Sequence, residues 1–355
     1  MASGEITLRE IQSQPEVWRN CLRTLDGVDL AALVGDRDPQ NYEWLFVGCG
    51  TSYYLAQAAA ATFTSLLGYS TGAIPARAVP ASEVLLFPAI AAPIEQKAVF
   101  PVLISRSGHT SEVLQVAEVF RQRGMEFLAI TCDGNELAQL TPRTLKLPVV
   151  EDSTVMTSSF TSMLMALQYI AARFAKQDVF VEALRSLPSS LEGLLEIYTP
   201  QVKEFARRSF EDVSFLGQGP LYPIASEASL KVMESSSSYA QFFHTLEFRH
   251  GPKSIVSESV LVGALLSETG YAEESAVLLE MKELGACTLA IANKITPEVR
   301  RSADLAIELA LPIPELARLV VYLVWGQLLG SYIGLQKGLN PDLPRHLSRV
   351  VTLAG

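Results

Sequence analysis

The amino-acid sequence predicts an α/β protein made of two similar domains, each with a parallel sheet between layers of helices. Short, continuous apolar runs alternate with helical patterns along the chain, as in sheets that are covered on both faces. Segments of the first half reappear in the second half. The length of 355 residues also fits two domains of about 150 residues each.

The first repeated block contains a predicted strand, a Gly-rich turn and an Ala-rich helix. Residues 44–60 read WLFVGCGTSYYLAQAAA, and residues 213–229 read VSFLGQGPLYPIASEAS. Such self-similarity predicts a duplicated folding unit. The identical positions lie at a constant offset and are Gly48 and Gly217, Gly50 and Gly219, Tyr53 and Tyr222, and Ala56 and Ala225.

The second repeated block adds a strand, a hydroxyl-rich turn, a helix and a third strand, at 101–131 and 262–292. Both blocks together predict the division of the chain. We expect a helical N-terminal arm at 1–27 and a first domain at 28–175. A helical linker at 176–199 should lead to a second domain at 200–340 and a C-terminal tail at 341–355. Prolines at 188 and 200 are expected to break the helical pattern of the linker region.

Composition narrows the classes of partner and cofactor. A formal charge of −10 argues against a nucleic-acid partner. The four cysteines form no close pair, which fits a reducing cytosol, and the four histidines form no HxH or HExxH pattern. We therefore expect a cytoplasmic protein with no metal and no cofactor.

No membrane association is expected. The N-terminus carries acidic residues and lacks the apolar core of a signal peptide. The apolar stretch 319–335 contains Gln327 and three glycines and follows Arg318, which favours a buried helix over a membrane span.

The loop that follows the first predicted strand is Gly-Cys-Gly-Thr-Ser at 48–52, with Gly50, Thr51 and Ser52 at its end. Ligands of open parallel sheets bind at such loops. Tyr53 replaces the third glycine of a dinucleotide fingerprint, and no acidic residue follows about 20 positions later for a ribose. A nucleotide site is therefore disfavoured.

A second loop places Ser105, Ser107 and Thr110 around a glycine, directly before a helix. Hydroxyls and helix-end amides together can hold an anion. The alternative is that Ser107 or Thr110 merely caps the helix. Two hydroxyl-rich loops at neighbouring predicted strands favour phosphate. In the second half, Pro220 removes an amide and Glu268 adds a negative charge, so one phosphate site is expected, in the first half.

Catalytic candidates lie in the second half. Glu227, Lys231 and Glu234 fall on one face of a predicted helix, among unusually apolar neighbours for a solvated ion pair. His250 precedes Gly-Pro in a turn, where its ring can face a cleft. A base, a cation and a ring-opening acid suit proton transfer between C1 and C2 of an open-chain sugar phosphate.

The order of the motifs resembles that of the SIS (sugar isomerase) family over essentially the whole chain. They include GCGTSYY, ISRSGHT, MTSSFT, GQGPLYPIASEASLKVMES, FRHGPKS and PRHLSRVVTL. Within the family, they resemble the isomerase half of glucosamine-6-phosphate synthase and the phosphosugar ketose/aldose isomerases and deaminases. The resemblance implies two tandem SIS domains, each a five-stranded parallel sheet flanked by helices in a flavodoxin-like three-layer sandwich. It also implies a homodimer with the active site near the subunit interface.

The resemblance also implies roles for individual residues. Glu234 matches the proton-transferring base, Lys231 the lysine beside the enediolate, and His250 a ring-opening histidine that a neighbouring subunit can donate. Glu227 and Glu151 match polar positions lining the sugar site. The phosphate binders of the family match Ser52, Ser105, Ser107 and Thr110.

The chain departs from the family pattern at three positions. Arg106 replaces the usual Gln and is expected to strengthen anion binding, and His109 replaces the usual Glu. Arg349 replaces a lysine of the synthase tail, and an arginine cannot form an imine. No glutaminase domain precedes the motifs, so we expect no release of ammonia from glutamine.

The sequence leaves the reaction itself open. An isomerase and a deaminase begin with the same proton transfer, and a fructosamine-6-phosphate deglycase fits the same residues. A non-catalytic sugar-phosphate sensor is a further alternative, against which the retained base, lysine and histidine count. An oxidoreductase of the dinucleotide-binding type is disfavoured by the incomplete glycine fingerprint.

Overall fold

The computed structural model describes residues 3–35, 42–68, 76–92, 99–134 and 136–352. They form two compact units, each described separately below. The first unit comprises Glu16–Glu151, Ser158–Arg185 and Ser348–Gly355. The second unit comprises Met1–Pro15, Asp152–Thr157 and Ser186–Leu347.

The first unit is built on a five-stranded, all-parallel sheet with the order β2-β1-β3-β4-β5. This is the order of the flavodoxin-like doubly wound folds. The central strands are buried because their apolar runs are covered by helices. The strands are β1 (Glu43–Gly48), β2 (Arg77–Pro80), β3 (Val99–Ile104), β4 (Leu128–Thr131) and β5 (Thr144–Lys146).

Helices alternate with these strands in the described part of the chain. Trp44, Phe63 and Phe100 pack together where α4 crosses the sheet, with ring centroids 4.9 and 5.2 Å from that of Trp44. The helices are α1 (Glu5–Gln12), α2 (Gln14–Asp26), α3 (Leu30–Val34), α4 (Thr51–Leu67), α5 (Ala81–Leu86), α6 (Pro88–Ala91), α7 (Ser111–Gln122), α8 (Glu136–Gln139), α9 (Ser158–Phe174) and α10 (Asp178–Phe205). Three of these helices precede β1, of which α1 belongs to the second unit, and α10 continues from the first unit into the second.

The second unit repeats the arrangement with a five-stranded parallel sheet of order β7-β6-β8-β9-β10. The two sheets therefore share one strand order, which confirms the predicted fold class. The elements are β6 (Asp212–Gly217), α11 (Tyr222–Ser236), β7 (Tyr239–His244), β8 (Val260–Leu266), α12 (Tyr271–Glu283), β9 (Cys287–Ala292), α13 (Pro297–Ser302), β10 (Leu305–Glu308) and α14 (Glu315–Gln336).

Helix α10 differs from the expectation, because it continues through Pro188 and Pro200. Each proline removes one backbone donor, which usually kinks or ends a helix. Leu184, Leu187 and Leu191 are completely buried on one face of this helix. We attribute its continuity to this buried stripe, since burial of several leucines outweighs the loss of single hydrogen bonds.

Among the described residues, α14 is the one helix long and apolar enough to cross a membrane, and nearly all of it is buried inside the protein. The stretch 319–335 is therefore a core helix, as predicted. Its side chains make specific polar contacts. The Tyr322 hydroxyl donates to the carbonyl of Leu266 at 3.2 Å, and Arg318 donates to the carbonyls of Leu311 and Ile313.

Candidate active site

The turn after β1 requires glycine at two positions. A Cβ added at Gly48 would lie 2.6 Å from the carbonyl carbon of Ser52, so a side chain does not fit there. Gly50 has a φ of +53°, in the left-handed region that glycine adopts at little cost. The turn places Thr51 and Ser52 in the first turn of α4, where both side chains are buried.

The loop after β3 draws its hydroxyls together. The Oγ of Ser105 lies 3.1 Å from Oγ1 of Thr110 and accepts the Gly108 amide at 3.1 Å. The Oγ of Ser107 accepts the His109 amide, also at 3.1 Å. Because β1 and β3 are adjacent and parallel, this loop and the Gly48–Ser52 turn leave the same edge of the sheet.

These contacts bear on the alternative in which the loop merely caps a helix. Thr110 occupies the N-cap position of α7, yet its side chain makes no capping hydrogen bond. Its hydroxyl contacts Ser105 instead. The amide of Ser111, the first residue of α7, donates to the carbonyl of Val351 at 3.3 Å. The hydroxyls of Ser105 and Thr110 thus contact each other, and the Thr110 hydroxyl is not used to cap the helix.

Arg106 has a buried side chain that joins two other segments of the first unit. Its Nη1 lies 2.9 Å from Oε2 of Glu151, and its Nη2 donates to the carbonyl of Arg349 at 3.1 Å. Glu151 also accepts Ser159 Oγ at 2.5 Å and Ser158 Oγ at 3.2 Å. Much of the positive charge of Arg106 is therefore balanced by Glu151, which weakens the expectation that Arg106 strengthens phosphate binding.

The other two departures from the family pattern lie nearer the surface. The Nδ1 of His109 is 3.2 Å from Oε1 of Glu136. The Nη2 of Arg349 lies 2.9 Å from Oδ2 of Asp133, and both side chains are partly exposed. Arg349 thus contributes its carbonyl to Arg106 and its guanidinium to Asp133.

In the second unit, α11 brings Glu227, Lys231 and Glu234 together, as their spacing predicted. The Nζ of Lys231 is 3.1 Å from Oε1 of Glu227 and 2.5 Å from Oε2 of Glu234. The side chains of Glu227 and Lys231 are buried, whereas that of Glu234 is 18% exposed. These three side chains therefore do not form a solvated ion pair. Glu234 is the residue of the cluster that a ligand can reach.

The electrostatics of this cluster keep Lys231 charged. Burial alone would lower the pKa of the Lys231 ammonium, but the carboxylates of Glu227 and Glu234 raise it above its usual range. A lysine in this state is a cation rather than a nucleophilic amine. The cluster can therefore stabilise a negative oxygen and cannot readily form an imine through Lys231.

His250 ends a 3-10 helix at Leu246–His250, and its side chain is exposed. The neighbouring side chains hold this segment against α12. Arg249 Nε lies 2.6 Å and Lys253 Nζ 2.8 Å from the carboxylate of Glu280. Hydrogen bonds from Lys253 and Arg249 lower the pKa of Glu280. The segment thus presents the His250 ring to solvent on an anchored turn.

One loop of the second unit corresponds in the repeat to Ser105–Thr110 of the first unit. In this loop, the carboxylate of Glu274 binds the groups that would otherwise face a ligand. The Gly270 amide donates to Ser267 Oγ at 2.9 Å, as Gly108 does to Ser105. The Glu274 carboxylate accepts the amide of Ser267 at 2.6 Å and its hydroxyl at 2.7 Å. The sequence analysis missed this role of Glu274. Glu274 occupies the position of the repeat that Glu112 occupies in the first half, and this equivalence was a usable signal.

Cysteine and metal chemistry gain no support from these sites. Burial is the main cause that raises the pKa of the Cys49 thiol to about 12, and the charge of Glu112 adds to it. Cys49 is therefore a thiol and a poor nucleophile at neutral pH. Within the described ranges, no group of three or more His, Cys, Asp or Glu side chains is placed to hold a metal ion.

Comparison with known proteins adds a family and several relatives. The family model described as SIS domain matches residues 41–173 and 210–324. The glutamine–fructose-6-phosphate aminotransferase (isomerizing) of Chlamydia pneumoniae is 29% identical over 99% of this chain and 59% of its own length. That of Methanothermobacter thermautotrophicus is 26% identical over 98% of this chain and 57% of its own length. The chain thus spans a little over half the length of these relatives.

Two solved structures resemble the chain over nearly all of its length. Glucosamine-6-phosphate deaminase from Thermotoga maritima is 27% identical with a TM-score of 0.79, covering 98% of this chain and 100% of the other. Tagatose-6-phosphate ketose/aldose isomerase from Escherichia coli has a TM-score of 0.83 at 23% identity, covering 96% and 95%. The second likeness is one of fold.

Proposed function

The chain belongs to the SIS domain family, and from that membership we propose that it is a phosphosugar isomerase or deaminase. Its reaction transfers a proton between C1 and C2 of a ketose or amino-sugar 6-phosphate. The observation that carries the proposal is the cluster of Glu227, Lys231 and Glu234, in which a buried ammonium lies between two carboxylates. A base beside a fixed cation is what an enediolate intermediate needs.

The phosphate group is assigned to the first unit. Ser52, Ser105, Ser107 and Thr110 are its side-chain donors, and the turn at Gly50 and Thr51 adds the amide-rich start of α4. The support for this assignment is the gathering of the Ser105, Ser107 and Thr110 hydroxyls in one loop. Neutral donors of this kind bind an anion without a basic surface, which suits a chain with a net charge of −10.

Glu234 is the proposed base, because it is the carboxylate of the cluster that reaches solvent. It takes the proton from C2 of the aldose, or from C1 of the ketose, and the C–H electron pair forms the carbon–carbon double bond of the enediolate. The Lys231 ammonium stabilises the oxygen that becomes negative. Protonated Glu234 then returns a proton to the neighbouring carbon, and the hydroxyl proton moves from the oxygen that becomes the carbonyl to the oxygen that becomes the hydroxyl, so that no net proton is consumed.

The same step leads to deamination when the substrate carries an amine at C2. Removal of the C2 proton and protonation of C1 convert the C2 amine into an imine. Water adds to that imine and ammonia leaves, which yields the ketose phosphate. A fructosamine-6-phosphate deglycase remains the alternative use of the same residues.

His250 is the proposed ring-opening residue, and it requires a second copy of the chain. Its imidazole would move a proton between the ring oxygen and the anomeric hydroxyl of the closed sugar. The exposed position of His250 on an anchored turn supports donation to a neighbouring subunit of a homodimer. Glu227 and Glu151 remain the predicted polar residues of the sugar site.

A panel of substrates tests the proposal. Fructose, glucosamine, tagatose, galactosamine and fructosamine 6-phosphates are incubated with the protein and assayed for ammonia and for aldose–ketose interconversion. We expect turnover of at least one of them and its loss in Glu234→Gln. Tight binding of one sugar phosphate without turnover of any would contradict the proposal and favour a sensor.

A further inference from the structure

Helix α14 packs on the helix that carries the proposed catalytic residues through a face of three glycines. Gly326, Gly330 and Gly334 recur every four residues and so lie on one side of α14. Helices that meet through small residues approach each other more closely than bulkier side chains allow. Both helices belong to the second unit.

The approach leaves no room for even one methyl group. A Cβ added at Gly326 would lie 2.6 Å from the Cβ of Ala228. A Cβ added at Gly330 would lie 2.8 Å from the carbonyl oxygen of Lys231, and one at Gly334 would meet the carbonyl oxygen of Ser235 even more closely. Two of the three partners are backbone atoms, so no side-chain rotation in α11 relieves the clash.

Along α11, each of these contacts lies at a residue of the charged cluster or directly after one. Ala228 follows Glu227, the Gly330 contact is with Lys231 itself, and Ser235 follows Glu234. A shift of the α11 backbone at any one of these contacts also shifts the charged side chain beside it. The glycine face therefore fixes the depth at which the Lys231 ammonium is buried and the position of the Glu234 carboxylate.

Helix α14 is itself held in place by polar contacts inside the second unit. The Gln327 side chain donates to the carbonyl of Thr157 at 3.1 Å and accepts from Gln14 Nε2 at 2.9 Å. Arg318 donates to the carbonyl of Leu311 at 3.0 Å. A helix fixed at several points is a suitable reference surface for α11, because close-packed interiors transmit small displacements.

We propose that Gly326, Gly330 and Gly334 are positioning residues for the Glu227–Lys231–Glu234 cluster. This inference rests on the proposed function and adds the element that sets the geometry of the cluster. The glycines touch no substrate; they act through the backbone of α11. A displacement of about 1 Å at a catalytic group is enough to lower turnover by roughly 100-fold.

Alanine substitutions test the inference, with a control that the chain itself supplies. Gly193 lies in the exposed part of α10, and a Cβ added there meets no atom within 4 Å. Because alanine is the better helix former, helix propensity alone favours all of these substitutions. We expect Gly330→Ala to lower kcat by about 100-fold with KM within about 3-fold, and Gly193→Ala to change neither.

A second-site change separates positioning from a general loss of folding. The clash of Gly326→Ala is with the side chain of Ala228, so Ala228→Gly removes its closest contact. The double variant is expected to recover kcat to within about 3-fold of the wild type. Ala228→Gly should not rescue Gly330→Ala, whose clash is with a backbone oxygen. Equal rescue of both variants, or full activity of folded Gly330→Ala, would overturn the inference.

A chemical readout keeps the inference testable if the wild type turns over none of the sugar phosphates. The Lys231 side chain is 1% exposed, so acetic anhydride should label it poorly in the wild type and in Gly193→Ala. Labelling of Lys231 in Gly330→Ala, measured by mass spectrometry, is expected to rise at least about 10-fold. Unchanged labelling would refute the positioning role, whereas increased labelling without wild-type turnover would refute only the proposed function.

Discussion

The ammonium of Lys231 lies 2.5 Å from the carboxylate of Glu234, its neighbour three residues further along α11. The contact joins a fully buried group to one that reaches solvent. Since the second carboxylate of the cluster, Glu227, lies 3.1 Å from the same ammonium, the charge of Lys231 is held on two sides. This arrangement explains how a lysine stays protonated in the core and suggests what it stabilises.

Removal of Lys231 should cost both activity and stability. Lys231→Met leaves the carboxylate of Glu227 buried without its cationic partner, and breaking such a buried pair costs about 3–5 kcal/mol of unfolding free energy. Chemical denaturation measures the loss. Lys253→Met is the matched control, because its ion pair with Glu280 is partly exposed and should cost less than about 1 kcal/mol. Equal losses in both variants would contradict the account.

Substitutions in the Ser105–Thr110 loop of the first unit should lower the affinity for the phosphate group rather than the rate of turnover. Ser105→Ala removes one hydrogen bond to a charged group, worth about 1.5–3 kcal/mol, and is expected to raise KM at least about 10-fold with little change in kcat. Ser267→Ala at the paired position should leave KM unchanged, because that hydroxyl is already bound by Glu274. Steady-state kinetics on the preferred sugar phosphate distinguishes the two loops.

Arg106 should stabilise the first unit through Glu151. Arg106→Gln leaves the Glu151 carboxylate buried beside two serines without its cation, so we expect a loss of about 3 kcal/mol in unfolding free energy. Arg349→Ala removes only the partly exposed pair with Asp133 and should cost less than about 1 kcal/mol. If Arg106→Gln proves as stable as the wild type but binds phosphate weakly, Arg106 contacts the ligand instead.

Asp304 should make stability depend on acid pH. Burial alone would raise its pKa, but hydrogen bonds from Arg208 and Lys282 lower it below the ordinary value of 3.8. An acid whose pKa is lower in the folded protein stabilises the fold while it is charged, and this contribution is lost as the pH falls below 3.8. Asp304→Asn should therefore cost about 1 kcal/mol at neutral pH, and this difference should shrink progressively as the pH falls below 3.8. A pH-independent difference would contradict this assignment.

The sequence alone predicted the elements whose signal is local. The repeated blocks predicted two parallel sheets, and the spacing of Glu227, Lys231 and Glu234 predicted one helix face. Both predictions depend on periodicity within a short segment, which the chain carries in full. The turn at Gly48 and Gly50 was recognisable for the same reason.

What escaped prediction depends on partners that are distant in sequence. The carboxylate of Glu274 fills its own loop, and Arg106 turns toward Glu151 and Arg349. The three glycines of α14 were visible in the sequence, but their meaning depends on α11 lying against them. The continuity of α10 through Pro188 likewise depends on the leucines that its packing buries.

Hydrogen exchange at carbon is the decisive test of proton transfer by Glu234. A sugar phosphate of the panel is incubated with the protein in D2O, and deuterium at C1 and C2 is measured by NMR and mass spectrometry. We expect incorporation by the wild type, because the proton on the partly exposed Glu234 carboxyl exchanges with D2O before it returns to carbon. Incorporation by Glu234→Gln should be at least about 1,000-fold slower, as expected when a general base is removed. A wild type that binds the sugar phosphate and leaves both carbons unlabelled, or a Glu234→Gln variant that exchanges at the wild-type rate, would contradict proton transfer by Glu234.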